Sequence, residues 1–429
     1  MTQLELARNG IITDEMRVCA QREGVLPDKV MEEVALGRAV IPKNRLRPLE
    51  RPCVIGKAFS VKINANVGTS PDSCSLESER EKIETAILSG ADCVMDLSIA
   101  GNLKKIRRAL LEVATVPFGT VPIYEVTYNL VRDGRDVESM TIDDVLAVLE
   151  GQAKDGVDFF TIHAGLTKRA VERYVNKRVM KVVSRGGSIL TEWIVKNNKE
   201  NLLYEYFDDI LALMKEYDVT ISLGDGLRPG AIADATDRAQ IEELTVLGEL
   251  ADRARSFGVQ VMIEGPGHVP LNQIQMNMEL EANLCGDAPF YVLGPLPTDV
   301  AVGFDHISGA IGGAIAGWFG ASMLCYVTPA EHISHPDKND VFLGVIGAKI
   351  AAHSADLARG NRQAWEWDNA ISLARFNQDW DGQIRLAIHP PTAKRLRDRM
   401  DLKDKSACSM CGEFCAIKRV KNAKEADKI

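Results

Sequence analysis

The stretch Val219-Thr220-Ile221-Ser222-Leu223-Gly224-Asp225-Gly226-Leu227-Arg228-Pro229 is a short apolar run that ends in a polar, glycine-rich loop. An amphipathic stretch, Ile241–Phe257, follows it. The same form then returns as Val259–Glu264 running into Gly265-Pro266-Gly267-His268. Strand, helix, strand in that order implies two parallel strands joined by a crossover helix. Working outward, similar strand-like runs are Ser60–Asn66, Cys93–Leu97, Val116–Thr120, Phe159–His163, Val182–Arg185, Pro289–Leu293 and Met323–Val327. Amphipathic stretches such as Tyr204–Tyr217 separate several of them. This much alternation predicts an α/β chain built on a closed (β/α)8 barrel. Nine runs compete for eight places, so one is expected to be accessory. The rival is an open doubly wound sheet, whose first turn should carry Gly-x-Gly-x-x-Gly, and no such motif follows a strand here.

The domains expected are a small helical region over residues 1–55, the barrel with its substrate and second metal site over 56–355, and a helical domain over 356–429. Thr13-Asp14-Glu15 and Pro27-Asp28 read as helix starts. Beyond the barrel, Trp365–Ile388 reads as one amphipathic helix, broken at His389-Pro390-Pro391 and restarting over Thr392–Met400. Twenty residues from Ser308 to Val327 carry no charge, near the length of a membrane span. Their Gly, Ala and Ser content reads instead as a buried helix followed by the strand Met323–Val327. No internal repeat is present.

Composition narrows the function. A net charge of −9 argues against nucleic acid or an anionic membrane as main partner. Nine cysteines, six of them scattered singly, fit a reducing cytoplasm better than a disulfide framework. The start Met1-Thr2-Gln3-Leu4-Glu5 lacks a basic-then-apolar signal run. Three cysteines cluster in Cys408-Ser409-Met410-Cys411-Gly412-Glu413-Phe414-Cys415. A structural zinc site is normally closed by four protein ligands. Three thiolates suit a cubane iron–sulfur cluster with one iron open to another molecule. Spacing alone leaves both open.

Polar residues gather where the strand-like runs end, which is where catalytic groups of such barrels sit. Ser184-Arg185-Gly186-Gly187-Ser188 offers backbone N–H groups, a hydroxyl and a guanidinium, a set that suits a phosphate monoester or serves as an ordinary turn. Asp225 and Arg228 could grip a ribose or phosphate, or pair with each other. Glu264 and His268 straddle Gly265-Pro266-Gly267 and so lie on a turn. His268 is a candidate metal ligand with His332 as partner, and a hydrogen-bonded loop histidine is the alternative for each.

Taken together, several motifs carry a resemblance. Asn64-Ala65-Asn66, Met95-Asp96-Leu97-Ser98, Ser184–Ser188, Gly224–Gly230, Glu264–Pro270, Cys325-Tyr326-Val327-Thr328-Pro329 and Cys408–Gly412 resemble the phosphomethylpyrimidine synthases, radical S-adenosylmethionine enzymes of thiamin pyrimidine biosynthesis. The resemblance runs from about residue 40 to 418. It implies a (β/α)8 barrel, a C-terminal [4Fe-4S] domain, S-adenosylmethionine as cofactor, an electron donor, and a cytoplasmic homodimer in which that domain reaches the partner's barrel. The implied substrate is 5-aminoimidazole ribotide. Its implied contacts are Asn66, Met95, Tyr124, His163, Ser184, Arg185, Gly186, Asp225, Gly226, Leu227, Arg228, Glu264 and Tyr291. Cys408, Cys411 and Cys415 would hold the cluster, and His268 and His332 a second divalent metal, zinc or iron.

The departures point further. The usual Thr-Thr-Asp-Ile-Ala-Pro-Gly-Tyr-Asp-His reads Pro297-Thr298-Asp299-Val300-Ala301-Val302-Gly303-Phe304-Asp305-His306 here. Met95-Asp96-Leu97-Ser98 continues as Ile99-Ala100-Gly101 in place of Thr-Gly-Gly, a usual His is Gly286, and the cysteine motif is one residue short. Gripping residues kept while neighbouring hydroxyls become apolar suggest one substrate taken to another product. That fits a paralogous family, the 5-hydroxybenzimidazole synthases, carbon–carbon lyases that make the lower ligand of cobalamin from the same ribotide. The expected activity is therefore 5-hydroxybenzimidazole formation, with phosphomethylpyrimidine formation as the alternative and a zinc-binding barrel hydrolase as the reading of another class.

Overall fold

The computed structural model describes residues 1–399 and 410–427. Two compact units are present, Met1–Arg359 and Gly360–Ile429. In the first, eight parallel strands close into a barrel. A two-stranded antiparallel pair precedes them, β1 (Ala39–Val40) with β2 (Ile55–Gly56). The barrel strands are β3 (Lys62–Val67), β4 (Cys93–Asp96), β5 (Phe118–Thr120), β6 (Phe159–Ile162), β7 (Thr220–Leu223), β8 (Val261–Gly265), β9 (Phe290–Leu293) and β10 (Met323–Cys325). They pair in chain order, and β10 closes on β3.

The ninth strand-like run, Val182–Arg185, is not a strand. Only Val182 and Val183 in it are apolar. Lys181 before it has φ 55°, and Ser184 caps the helix Arg185–Asn197 by accepting the Gly187 N–H. A side-chain cap that satisfies a helix N-terminus outweighs the β preference of two valines. Ser184–Ser188 is thus a helix start rather than a strand end, and so is Pro122-Ile123-Tyr124, which opens the helix Pro122–Arg132.

Ser308–Val327 folds as expected, into the helix Asp305–Phe319 and then β10. Among the described residues, the helix long and apolar enough to cross a membrane is a different one, Lys338–Ala358. It packs on Asp305–Phe319 and on Leu76–Ser89 as part of the barrel wall. Near its end, buried Asp356 accepts the Val61 N–H at 3.0 Å, just ahead of β3.

The N-terminal helices Gln3–Arg8, Asp14–Glu23 and Pro27–Ala35 form a small apolar cluster of their own around Met16, Val30, Val34 and Phe59. The chain after them is tied to residues that precede barrel strands. Gln260 bonds both backbone groups of Ile41, and the Asn44 amide donates to the Ala153 and Val157 carbonyls. Asp158, with no exposed surface, pairs with Arg47 and accepts the Asn44 and Phe118 amides at 2.9 Å each. This network closes the face of the barrel opposite the strand ends. Asp158→Ala would strand a buried guanidinium and two buried amides. Its expected effect is a loss of about 3–5 kcal/mol in denaturant unfolding, whereas a change under about 1 kcal/mol would show that the network is not holding the closure.

The second unit is helical. The stretch expected as one helix over Trp365–Ile388 is two, Arg362–Asn377 and Trp380–Leu386. Gln378 sits in the left-handed region between them, and the Asp379 carboxylate caps the second. Pro390–Arg397 follows.

Candidate active site at the mouth of the barrel

In a parallel strand alternate side chains face inward, so the last inward positions of each strand converge at one end. Here they line an open-mouthed cavity of about 500 Å³, the space at its mouth included. Asn66, Met95, Tyr124, His163, Asp225, Arg228, Glu264 and Tyr291 line it. These come from seven strands or the loops just after them. Leu97, Val121, Val292 and Leu293 supply the apolar wall. An outer chamber of about 1270 Å³ shares Asn66, Leu97 and Leu293 with it and adds Arg185, Ile99, Glu331 and His332.

The polar groups are mutually held. The Thr161 and Ser222 hydroxyls donate to one Glu264 oxygen at 2.7 and 3.1 Å. The Asn64 amide donates to Tyr291 Oη at 2.6 Å and to Asn66 Oδ1 at 2.7 Å, and Asn66 donates in turn to Cys325 Sγ at 3.1 Å. Fixed rotamers of this kind preorganise a site for a polar ligand.

Arg228 and Asp225 do form the ion pair that the sequence left as an alternative, Nη1 to Oδ1 at 3.0 Å. Burial nonetheless pushes the Asp225 carboxyl up to about 7, and Arg228 pulls against that rise. Burial also raises Glu264. Loss of solvent is the main cause of both rises, and the Glu264 charge adds to the rise of Asp225. His163 is driven down to about 3 by burial, with Arg228 adding to the drop, so its ring is neutral at physiological pH. Its Nε2 meets Ser184 Oγ at 3.2 Å, and its Nδ1 is buried without a partner. A side chain on Gly186 would strike this ring, which is why glycine stands there. The Arg185 guanidinium lies over the Tyr124 ring, 4.9 Å from its centre, a cation–π contact that aims it across the mouth.

Not every expected contact reaches the cavity. Ser184, Gly186 and Gly226 form the backing around His163 and the Asp225–Arg228 loop. Leu227 is fully buried, and its N–H is committed to Glu243 at 2.7 Å. Conversely, Thr161 and Cys325 line the cavity and were not singled out as contacts. Thr161 stands two residues before His163 on the same strand face, so alternation was the signal for it. Cys325 ends the last barrel strand between apolar same-face neighbours, Met323 and Val327, and only its place at a strand end marks it.

The histidine pair is brought together. The rings of His268 and His332 are 5.2 Å apart between centres. His268 Nδ1 meets Asp299 Oδ1 at 2.8 Å, and His332 Nδ1 lies 3.6 Å from Asp305 Oδ1. A carboxylate on Nδ1 leaves Nε2 as the free nitrogen, the usual arrangement behind a metal-binding histidine. Among the described residues no three His, Cys, Asp or Glu side chains gather as a ready metal cage, so a metal here would have two protein ligands. Of the cysteine motif, Cys408 lies outside the described residues. Cys411 and Cys415 are free thiols that flank one short turn, Gly412–Phe414, and Cys411 is exposed. Soft thiols bracketing a single turn fit an iron–sulfur cluster.

Comparison with known proteins now decides the kinship. A family model described as the radical SAM ThiC family matches residues 2–422. The chain belongs to that family. Phosphomethylpyrimidine synthase of Thermodesulfovibrio yellowstonii is 54% identical over 427 residues, 99% of this chain and 100% of that one. The proteins of the same name from Thermotoga petrophila and Thermus thermophilus are 52% and 53% identical, covering 97% and 98% of this chain and 99% and 97% of theirs. Membership of a radical SAM family implies a [4Fe-4S] cluster and S-adenosylmethionine, and it makes the chain an enzyme. Names on the thiamin side stand where the sequence alone had pointed to the benzimidazole side.

Proposed function

We propose that this enzyme rearranges 5-aminoimidazole ribotide into a phosphorylated hydroxymethylpyrimidine, as phosphomethylpyrimidine synthases do. The observation that carries the reading is the inner cavity: carboxyl, guanidinium, amide, imidazole and phenol groups converge there, and the relatives named for this activity match the chain over almost its whole length. Arg185 and Arg228 would meet the phosphate and its neighbours. Asp225 and Glu264 would accept from ribose hydroxyls or the ring amine, and Tyr291, Met95 and Asn66 would bound the imidazole. A [4Fe-4S] cluster on Cys408, Cys411 and Cys415 would supply the electron that cleaves S-adenosylmethionine to a carbon radical able to take hydrogen from the ribose. The barrel residues hold the ribotide still and keep water from the reacting carbons.

His268 and His332 would hold the second metal, zinc or iron. If Asp299 orients His268, Asp299→Ala should weaken zinc binding in a titration by roughly 10–100-fold. Unchanged affinity would remove Asp299 from that role. A homodimer belongs to the same reading, supported by exposed Ile307, Ile311, Trp318, Leu343 and Ile350 on two packed helices.

A second reading keeps the substrate and changes the product to 5-hydroxybenzimidazole. One observation favours it. Ile99 lines the outer chamber, so the hydroxyl lost at this position is lost at the mouth itself. Anaerobic turnover with ribotide, S-adenosylmethionine and a strong reductant separates the two by product mass. A phosphorylated pyrimidine supports the first reading, and a phosphate-free, fluorescent bicyclic product replaces it with the second.

A further inference from the structure

The loop that carries Asp225 and Arg228 is held from behind by a residue outside the cavity. Glu243 lies on the helix Arg238–Phe257, is 2% exposed, and accepts the Leu227 N–H through Oε2 at 2.7 Å. Its other oxygen is buried without a partner, aimed where a side chain on Gly226 would stand, 3.0 Å away. A small hollow behind the ion pair is lined by Glu243, Gln240, Asp225, Arg228 and Glu264. The far side of the loop is braced as well. Arg178, paired with Asp237, donates to the Arg228 carbonyl at 3.4 Å. A loop with an amide anchored on one side and a carbonyl on the other has little freedom to move its two charged side chains.

We propose that Glu243 is a positioning residue that fixes the Asp225–Arg228 loop for the ribotide, acting as a neutral hydrogen-bond acceptor rather than as a charge. Two physical arguments converge on neutrality. Glu243 is buried and shares its hollow with two further carboxyls, Asp225 and Glu264, so a charge on it would lack solvent and face like charge. Burial, with Asp225 adding to it, also drives the Glu243 carboxyl up to about 8, against the pull of the Leu227 amide. The ligand named here rests on the function proposed above, whereas the anchoring of the loop does not.

The test compares Glu243→Gln with Glu243→Leu. Glutamine keeps a neutral acceptor of the same shape. Leucine keeps volume and leaves the Leu227 amide unpaired, a change worth roughly 5- to 100-fold in an equilibrium constant. Amide hydrogen exchange over 224–230 is expected to stay slow in Glu243→Gln and to quicken about tenfold or more in Glu243→Leu, with melting of the barrel little changed. Ribotide affinity should follow the same order, while S-adenosylmethionine affinity should not move. Equal protection of the loop in both variants overturns the proposal. So does equal loss in both, because it would mean that the charge was the working feature. If the native enzyme itself fails to bind ribotide, the functional reading falls, and the exchange data still decide the anchoring.

Discussion

Cys411→Ala is expected to abolish S-adenosylmethionine cleavage and to leave the barrel folded. Cys411 and Cys415 stand at the two ends of one turn in the unit Gly360–Ile429, and the barrel has its own core within Met1–Arg359. Three thiolates are the minimum that holds a cubane cluster with one iron left open. Removing one should therefore cost the whole cluster rather than a fraction of activity. Alanine in place of an exposed cysteine removes no packing, so melting of the barrel should be unchanged. Anaerobic protein should carry iron and sulfide before the substitution and little after it. Full cleavage by the variant, or native protein with stoichiometric zinc and no iron, would refute the assignment.

Arg228→Met should come second in size. The guanidinium is half-buried, pairs with Asp225, and lines the inner cavity. Asp225 is buried and Arg228 is half-buried, so the lower end of the roughly 2–5 kcal/mol cost of truncating one partner of a charge pair at a binding surface applies, and ribotide affinity should fall about thirtyfold. The fold should tolerate the change. Asp225, already pushed up to about 7 by burial, can take a proton once its partner is gone. Isothermal titration with ribotide and, separately, with S-adenosylmethionine tests this. Normal binding of both ligands would show that Arg228 is only a structural ion pair.

The barrel was legible because parallel strands buried on both faces read as apolar runs, and because each run ended in a polar loop. Its one false strand, Val182–Arg185, failed for a local reason. Two valines look extended until the serine after them is seen to cap a helix. The break at Gln378 was invisible because glutamine is a good helix former, and only the Asp379 cap beyond it reveals the new start. In the site, motifs located the loops, and the loops located most of the cavity. Glu243 could not be found that way. It occupies a polar position of an amphipathic helix, where a glutamate ordinarily faces water, and only the fold turns that position onto the Leu227 amide. Nor could the orientation of the histidine pair be read, since Asp299 and Asp305 are separated from His268 and His332 by whole barrel elements.

On the proposed function, the inner cavity presents the ribose of a ribotide to a radical made from S-adenosylmethionine. The most direct measurement follows deuterium. Native enzyme is incubated anaerobically with reductant, S-adenosylmethionine and ribotide deuterated on the ribose, and the 5′-deoxyadenosine formed is weighed by mass spectrometry. Deuterium carried into 5′-deoxyadenosine, formed only when ribotide is present, is the predicted result. Cleavage that ignores ribotide, or 5′-deoxyadenosine that stays unlabelled with every ribose position deuterated, would contradict it.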